Sequence, residues 1–222
     1  MNNKKPLRDV YDNTKYLSIK HDSYFNVYES LLSKYIGKPI VFVEVGIFNG
    51  GSLFMWREFL GSEARIIGID LNPAAKDWEK FGFEIYIGDQ SSPSFWENFF
   101  KVIGTIDVLL DDGGHTNLQQ ITTAHYAIEN INDGGILIVE DVHTSYFKEF
   151  GNPFKYSFIG FARHVINSLN SRSNSCVRSG TYWNKVYSMS FFESIVAFHI
   201  SRKNCIISKP VNNSGLTKNA ED

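Results

Sequence analysis

Apolar, β-branched runs alternate along the chain with stretches whose apolar positions recur at helical spacing, which is the pattern of strands and helices stacked into a mostly parallel sheet. Pro39 to Gly46 (PIVFVEVG) predicts a buried first strand, and Gly50 to Leu60 a helix that packs through Leu53, Phe54 and Trp56. Ala64 to Asp70 predicts the second strand, Ala74 to Phe81 a short helix, and Phe83 to Gly88 the third strand. Pro93 suits the first turn of the next helix, Pro93 to Val102, whose apolar face carries Phe95, Trp96 and Phe99. Ile106 to Leu110 is read as the fourth strand, Asn117 to Asn130 as a long helix, and Gly135 to Val139 as a fifth strand entered through the turn Asn132 to Gly135.

The pattern then changes. Val186 to Phe191 and Ile195 to Ser201 lie too close for a helical crossover and predict an antiparallel hairpin. The expected fold is therefore α/β, a Rossmann-like doubly wound sheet, mostly parallel, with a C-terminal antiparallel hairpin. Before the first strand, Tyr24, Tyr28, Leu31 and Leu32 fall at helical spacing and predict a helix laid across the sheet edge or against a partner subunit, which leaves a homo-oligomer open. The domain reading is a helical lead-in over 1–37, one catalytic domain over 38–208, and a disordered tail over 209–222. Ser171 to Gly180, small and polar, is expected to be a mobile loop.

Composition narrows the partners. With 22 basic against 24 acidic side chains and a pI near 6.3, the 222 residues create no basic field for nucleic acid, so a small molecule is expected. No apolar run is long enough to cross a bilayer and no signal peptide is evident, so no membrane partner is expected. Cys176 and Cys205 are read as thiols rather than a disulfide, consistent with a cytoplasmic location.

Ligands of open α/β sheets bind beyond the carboxyl ends of the strands, and four such ends are informative here. Glu44-Val45-Gly46-Ile47-Phe48-Asn49-Gly50-Gly51 allows close approach of backbone to a ligand, although glycine turns also serve helix–strand packing. Asp70, ending the second strand, could accept bonds from two ribose hydroxyls or serve only as a turn residue before Asn72-Pro73. Asp89, in Gly88-Asp89-Gln90, could reach an adenine amino group or be a plain turn residue. Dinucleotide sites favour G-x-G-x-x-G, whereas Glu44 stands at the first position here. A carboxylate repels a pyrophosphate but suits the sulfonium and ammonium groups of S-adenosylmethionine, which favours methyl transfer over a nicotinamide-dependent oxidoreductase.

The strongest constellation is Asp111-Asp112-Gly113-Gly114-His115, facing Glu140-Asp141-Val142-His143-Thr144-Ser145-Tyr146 from the next strand. Carboxylates converging without a basic partner call for a cation, and oxygen ligation suits Mg²⁺ or Mn²⁺. The alternative is solvated loop acids and helix caps, with Thr116 a cap for the helix that follows. Glu140 and Asp141 are adjacent, so either the strand ends between them or one is not a ligand. His115 could take a proton from a bound hydroxyl, and His143 competes for that role.

Through EVGIFNGGSLFMW, GDQ, LLDDGGH and the segment ending VEDVHTSY, the chain resembles the metal-dependent sugar O-methyltransferases typified by the mycinamicin and macrocin enzymes, with more distant kinship to cephalosporin hydroxylase-like proteins. The resemblance runs from about Ser18 to Tyr146, and SIKHDSYFNVYESLL looks like that family's lead-in. It implies S-adenosylmethionine and a divalent metal as cofactors, with Asp112, Glu140 and Asp141 on the metal and His115 as base. Glu44, Gly46, Asp70 and Asp89 would hold the methyl donor. Asn49, Gly50, Ser52, Gln90 and Asp111 are assigned with them, and His143 and Tyr146 are assigned to substrate.

The chain is shorter than the macrolide enzymes and leaves no room for their additional N-terminal domain. A free or nucleotide-linked hexose or heptose, destined for a surface polysaccharide or a natural product, is therefore the expected acceptor. Lys155, Arg163, Arg172 and Arg178 are candidate phosphate contacts. A non-catalytic nucleotide-sugar binding protein of the same fold is the third reading.

Overall fold

A computed structural model describes residues 5–151, 156–172, 182–207 and 209–213. Two helices, α1 (Leu7–Asp12) and α2 (Tyr24–Leu32), precede strand β1 (Val41–Val45). There follow α3 (Gly51–Leu60), β2 (Arg65–Asp70), β3 (Glu84–Ile87), α4 (Pro93–Ile103) and β4 (Ile106–Asp111). The chain continues through α5 (Asn117–Asn130), β5 (Ile131–Val139), α6 (Phe158–Asn170), β6 (Val186–Phe192) and β7 (Ile195–Ile200). The sheet order is β3-β2-β1-β4-β5-β7-β6, with β1 to β5 parallel and β7 and β6 added antiparallel. This is the predicted doubly wound sheet with its terminal hairpin. The strand order reverses between β1 and β4, where ligands of such sheets bind.

Strand pleating divides the core. Phe42, Val108, Leu110, Ile136 and Ile138 face one cluster, while Val43, Val45, Leu109, Leu137 and Val139 face the other. Helices α4, α5 and α6 cover the second face through Trp96, Ala124, Ile128, Phe158 and Val165. On the first face the crossover helix α3 is joined by α1 and α2, whose Leu7, Tyr28, Leu31 and Leu32 belong to the same buried cluster as Trp56 and Phe42. Tyr35, just past α2, donates its hydroxyl to Gly134 O at 2.8 Å.

The lead-in thus lies on a face of the sheet, not across its edge as expected. The crossovers after β3 and β4 both lie on the other side, so the first-face residues of β4 and β5 need a cover from elsewhere in the chain. Leu32 and Tyr28, both 0% exposed, are part of that cover.

Local signals explain most boundaries. Ser92 caps α4 with Pro93 behind it. Thr116 closes a capping box with Gln119 at the start of α5, so its cap role is realised. The stretch read as a short helix is a 3₁₀ helix, Pro73–Phe81, capped by the Asn72 side chain on Ala74 N. β5 begins at Ile131 rather than Gly135. The expected turn is absorbed as a register irregularity opposite Asp107, whose carboxylate accepts from Asn132 Nδ2 at 2.9 Å.

No helix among the described residues is long and apolar enough to cross a membrane. Cys205 is a free, buried thiol, while Cys176 and most of the predicted 171–180 loop and 209–222 tail fall outside the described residues. Leu32→Ala should cost about 2–5 kcal/mol in urea denaturation, as for a fully packed core leucine. A loss below about 1 kcal/mol would mean that α2 is not part of the core.

Candidate active site

A cleft of about 600 Å³ opens above the β1/β4 switch. Its floor is the turn after β1, where Gly46 adopts φ +82 and a Cβ would meet Asp112 O at 2.1 Å, so only glycine fits between β1 and β4. Ile47 N donates to Asp70 Oδ2 at 3.1 Å, and Asn72 N donates to Oδ1 at 2.8 Å. Asp70 therefore ties the end of β2 to the glycine turn while still lining the cleft. Asn49, Ser52, Asp89 and Gln90 line it as well, and Asp89 is exposed, holding Ser91 N at 2.8 Å.

Three residues assigned to the cofactor stand behind the wall. Gly50 has φ +73, and a Cβ there would strike Trp78 at 2.4 Å. Asp111 is fully buried, and its Oδ1 accepts from Gln90 Nε2 at 2.8 Å while Gln90 Oε1 accepts from Gly114 N at 2.9 Å. Burial pushes the Asp111 carboxyl up to about 6. Glu44 is also fully buried and accepts from Ser52 Oγ at 2.6 Å and Trp56 Nε1 at 3.1 Å.

The acids at the ends of β4 and β5 do converge, but with a basic partner that the sequence reading did not include. Lys20 Nζ lies 2.6 Å from Asp112 Oδ2, 3.2 Å from Glu140 Oε1 and 3.4 Å from Glu44 Oε1. Burial opposes the charge on this ammonium, yet Asp112, Glu140 and Glu44 together raise its pKa well above the ordinary value. Burial raises Glu44 and Glu140, and Lys20 works against both shifts. Glu140 also accepts from Tyr28 OH at 2.5 Å, and burial, with the Glu140 charge and this bond behind it, holds the tyrosine hydroxyl well above its ordinary pKa.

β5 ends before this pair, and Asp141 turns into the left-handed region at φ 52, so the two neighbouring acids part company. Glu140 points into the buried network. Asp141 lines the cleft with Asp112 and His115, and one ligand atom from each of these three lies within 4.8 Å of the others. His115 Nε2 is 3.3 Å from Asp141 Oδ2 and 4.0 Å from Asp112 Oδ1. His115 itself has φ 58, and Thr144 Oγ1 pins its carbonyl at 2.9 Å. Asp112 and Asp141 offer carboxylate oxygens to a hard divalent ion, with the His115 imidazole beside them. Lys20 is the one lysine or arginine among the described residues lining the cleft, so the acids outweigh it.

His143 sits on the far side of Asp141, its Nδ1 against Ser194 Oγ and 3.9 Å from Asp141 Oδ1. It does not line the cleft beside His115, and Tyr146 stands 63% exposed nearby in sequence. Lys20, Tyr24, Tyr28 and Phe48 were missed by residue-level reasoning. Tyr24 OH donates to Asp141 Oδ1 at 2.5 Å, and Phe48, with φ 45 and 58% exposure, lines the cleft mouth. The available signal was indirect, since several acids at adjacent strand ends imply a positive partner somewhere in the chain.

A family model described as a methyltransferase domain matches residues 43–142. Demethylmacrocin O-methyltransferase of Streptomyces fradiae is 26% identical over 85% of this chain and 49% of its own length. The 8-demethyl-8-alpha-L-rhamnosyl tetracenomycin-C 2'-O-methyltransferase of Streptomyces olivaceus is 26% identical over 69% of this chain and 44% of its own. The chain thus spans about half the length of these curated relatives.

Among solved structures, the MycE methyltransferase of mycinamycin biosynthesis, in complex with Mg and SAH, superposes with a TM-score of 0.80 at 20% identity, over 90% of this chain and 55% of that one. An O-methyltransferase from Bacillus cereus in complex with SAH gives 0.54 at 13% identity, over 87% and 90%. Residues 43–142 thus match a methyltransferase-domain model, the fold is that of class I methyltransferases, and the chain is similar to demethylmacrocin O-methyltransferase and to the MycE methyltransferase of mycinamycin biosynthesis.

Proposed function

We propose that this chain transfers a methyl group from S-adenosylmethionine to a sugar hydroxyl with the help of a divalent cation. The observation that carries the reading is one cleft with two arms. The arm from Gly46 through Asp70 to Gln90 suits an adenosine-bearing cofactor, and the arm of Asp112, His115 and Asp141 suits a cation with a base beside it. The relatives named above are O-methyltransferases of demethylmacrocin and of a rhamnosyl tetracenomycin, and the rhamnosyl group of the second supports a sugar acceptor here.

Asp112 and Asp141 would hold the cation, while Lys20 and Tyr28 engage Glu140 behind them. A bound divalent ion supplies Lewis acidity that lowers the pKa of a nearby hydroxyl. The rest falls to the chain's own side chains. Asp70 and Asp89 would orient the cofactor through its ribose and adenine. His115 Nε2 faces the cleft and would accept the hydroxyl proton as the oxygen bonds to the methyl carbon and the carbon–sulfur pair returns to sulfur.

His143 and Tyr146, beyond Asp141, would meet the acceptor sugar. Of the four basic residues expected to contact a phosphate, two lie among the described residues. Arg172 is bonded to Trp183 O and lies 3.1 Å from Cys205 Sγ, Arg163 is exposed on α6, and Lys155 and Arg178 lie outside the described residues. The acceptor is therefore proposed as a sugar hydroxyl, with nucleotide-linked and free glycosides as separate arms of the test.

His115→Ala should cut turnover by about 10²-fold or more. Calorimetry should show SAH binding nearly unchanged, and Mn²⁺ affinity should stay within about 3-fold, as for a base that is not a ligand. Unchanged turnover would remove His115 from the mechanism. Chelator treatment should abolish methyl transfer to any accepted sugar, with Mg²⁺ or Mn²⁺ restoring it. Full activity in a stripped sample, or binding of NAD in place of SAH, would sink the reading.

A further inference from the structure

We propose that Lys20 is a positioning residue for the cation site, acting through Asp112 and Glu140, and that the segment from Tyr16 to Tyr24 is the strap that holds it there. The inference rests on the cation reading above and assigns a role to a residue outside the set that would touch the ion. Its side chain is 1% exposed and its ammonium meets acids from the ends of β1, β4 and β5, three neighbouring strands.

The geometry sorts the oxygens. Lys20 takes Asp112 Oδ2 at 2.6 Å and leaves Oδ1 on the His115 side, at 4.0 Å from Nε2. It reaches both oxygens of Glu140, at 3.2 and 3.3 Å, while Tyr28 OH occupies Oε1 from the other side at 2.5 Å. Glu140 is thereby kept out of the group formed by Asp112, His115 and Asp141. One ammonium selects the rotamer of one acid and restrains another. Without it, like charges at adjacent strand ends would turn away from each other, and Asp112 would lose the orientation that presents Oδ1 to the cleft.

The strap is anchored on both sides of Lys20. Gly51 N donates to Leu17 O at 3.3 Å, and a Cβ on Gly51 would lie 2.2 Å from Tyr16 O, so the segment rests directly on the first turn of α3. The Tyr16 ring packs 4.8 Å from Phe54 and 4.9 Å from Trp78. Tyr11 OH donates to Ser18 O at 2.8 Å, and Tyr24 donates to Asp141. Lys20 is thus carried by a backbone held on either side, unlike a surface lysine folded inward.

A competing role gives the opposite sign. If Lys20 were a counter-ion that the divalent cation displaces, its removal would strengthen cation binding. Mn²⁺ is titrated into the chelator-stripped full chain and followed by the electron paramagnetic resonance of the free ion, with SAH calorimetry in parallel. Lys20→Met should weaken Mn²⁺ binding by about 10-fold or more while SAH affinity moves by less than about 3-fold, and Lys20→Arg should recover most of the loss because it keeps the charge.

Equal or tighter Mn²⁺ binding by Lys20→Met overturns the proposal, as does an Arg variant no better than Met. If Lys20→Met does not fold, the double variant Lys20→Met with Glu140→Gln removes both buried charges. Its Mn²⁺ affinity should still be reduced by about 10-fold, and a wild-type value overturns the positioning role. A wild-type chain that binds no Mn²⁺ overturns the cation reading and the Lys20 role with it, whereas normal wild-type binding with no Lys20 effect overturns the Lys20 role alone.

Discussion

Carboxylates at the ends of neighbouring parallel strands cannot share a space without positive charge, and the upper rim of this sheet is organised around that constraint. Like charges about 4 Å apart repel by about 4 kcal/mol in an effective dielectric near 20. Glu44, Asp112 and Glu140 accept that proximity because Lys20 Nζ stands at their common point. The requirement reaches back into the fold, since a buried ammonium needs a backbone to deliver it. That backbone is the lead-in strap, and its first half rests on α3 through the bare Cα of Gly51. The same lead-in closes the first face of the sheet with Tyr28 and Leu32. One segment thus completes the core and compensates the acids, so stability and site geometry are coupled through α2.

Backbone strain is concentrated at the same rim. Three of the non-glycine residues in the left-handed region, Phe48, His115 and Asp141, line the cleft, and such conformations cost about 1–3 kcal/mol each. They persist because their surroundings hold them, with Thr144 on the His115 carbonyl and Tyr24 on the Asp141 carboxylate. Asp141 gains most from this. A regular strand would send it to the face opposite Glu140, and the left-handed turn at the end of β5 instead brings it into the cleft beside His115. Asp111 and Gln90 support the arrangement from below, tying the end of β4 to the start of the Gly113-Gly114 turn.

What the chain's own order of residues determined is the layout. Alternating apolar runs foretold the parallel strands, the short spacing of Val186–Phe192 and Ile195–Ile200 foretold the hairpin, and strand-end acids marked the rim where the cleft opens. These are local signals, because pleat and helix periodicities are written within about ten residues. Tertiary structure decided what each marked residue does. Glu44 and Asp111 are buried behind the cleft wall, Glu140 is bonded to Lys20 and Tyr28, and the lead-in lies on a face of the sheet rather than across its edge. Lys20 meets Asp112 across 92 positions and Glu140 across 120, and a contact between residues so far apart leaves no period in the sequence to read.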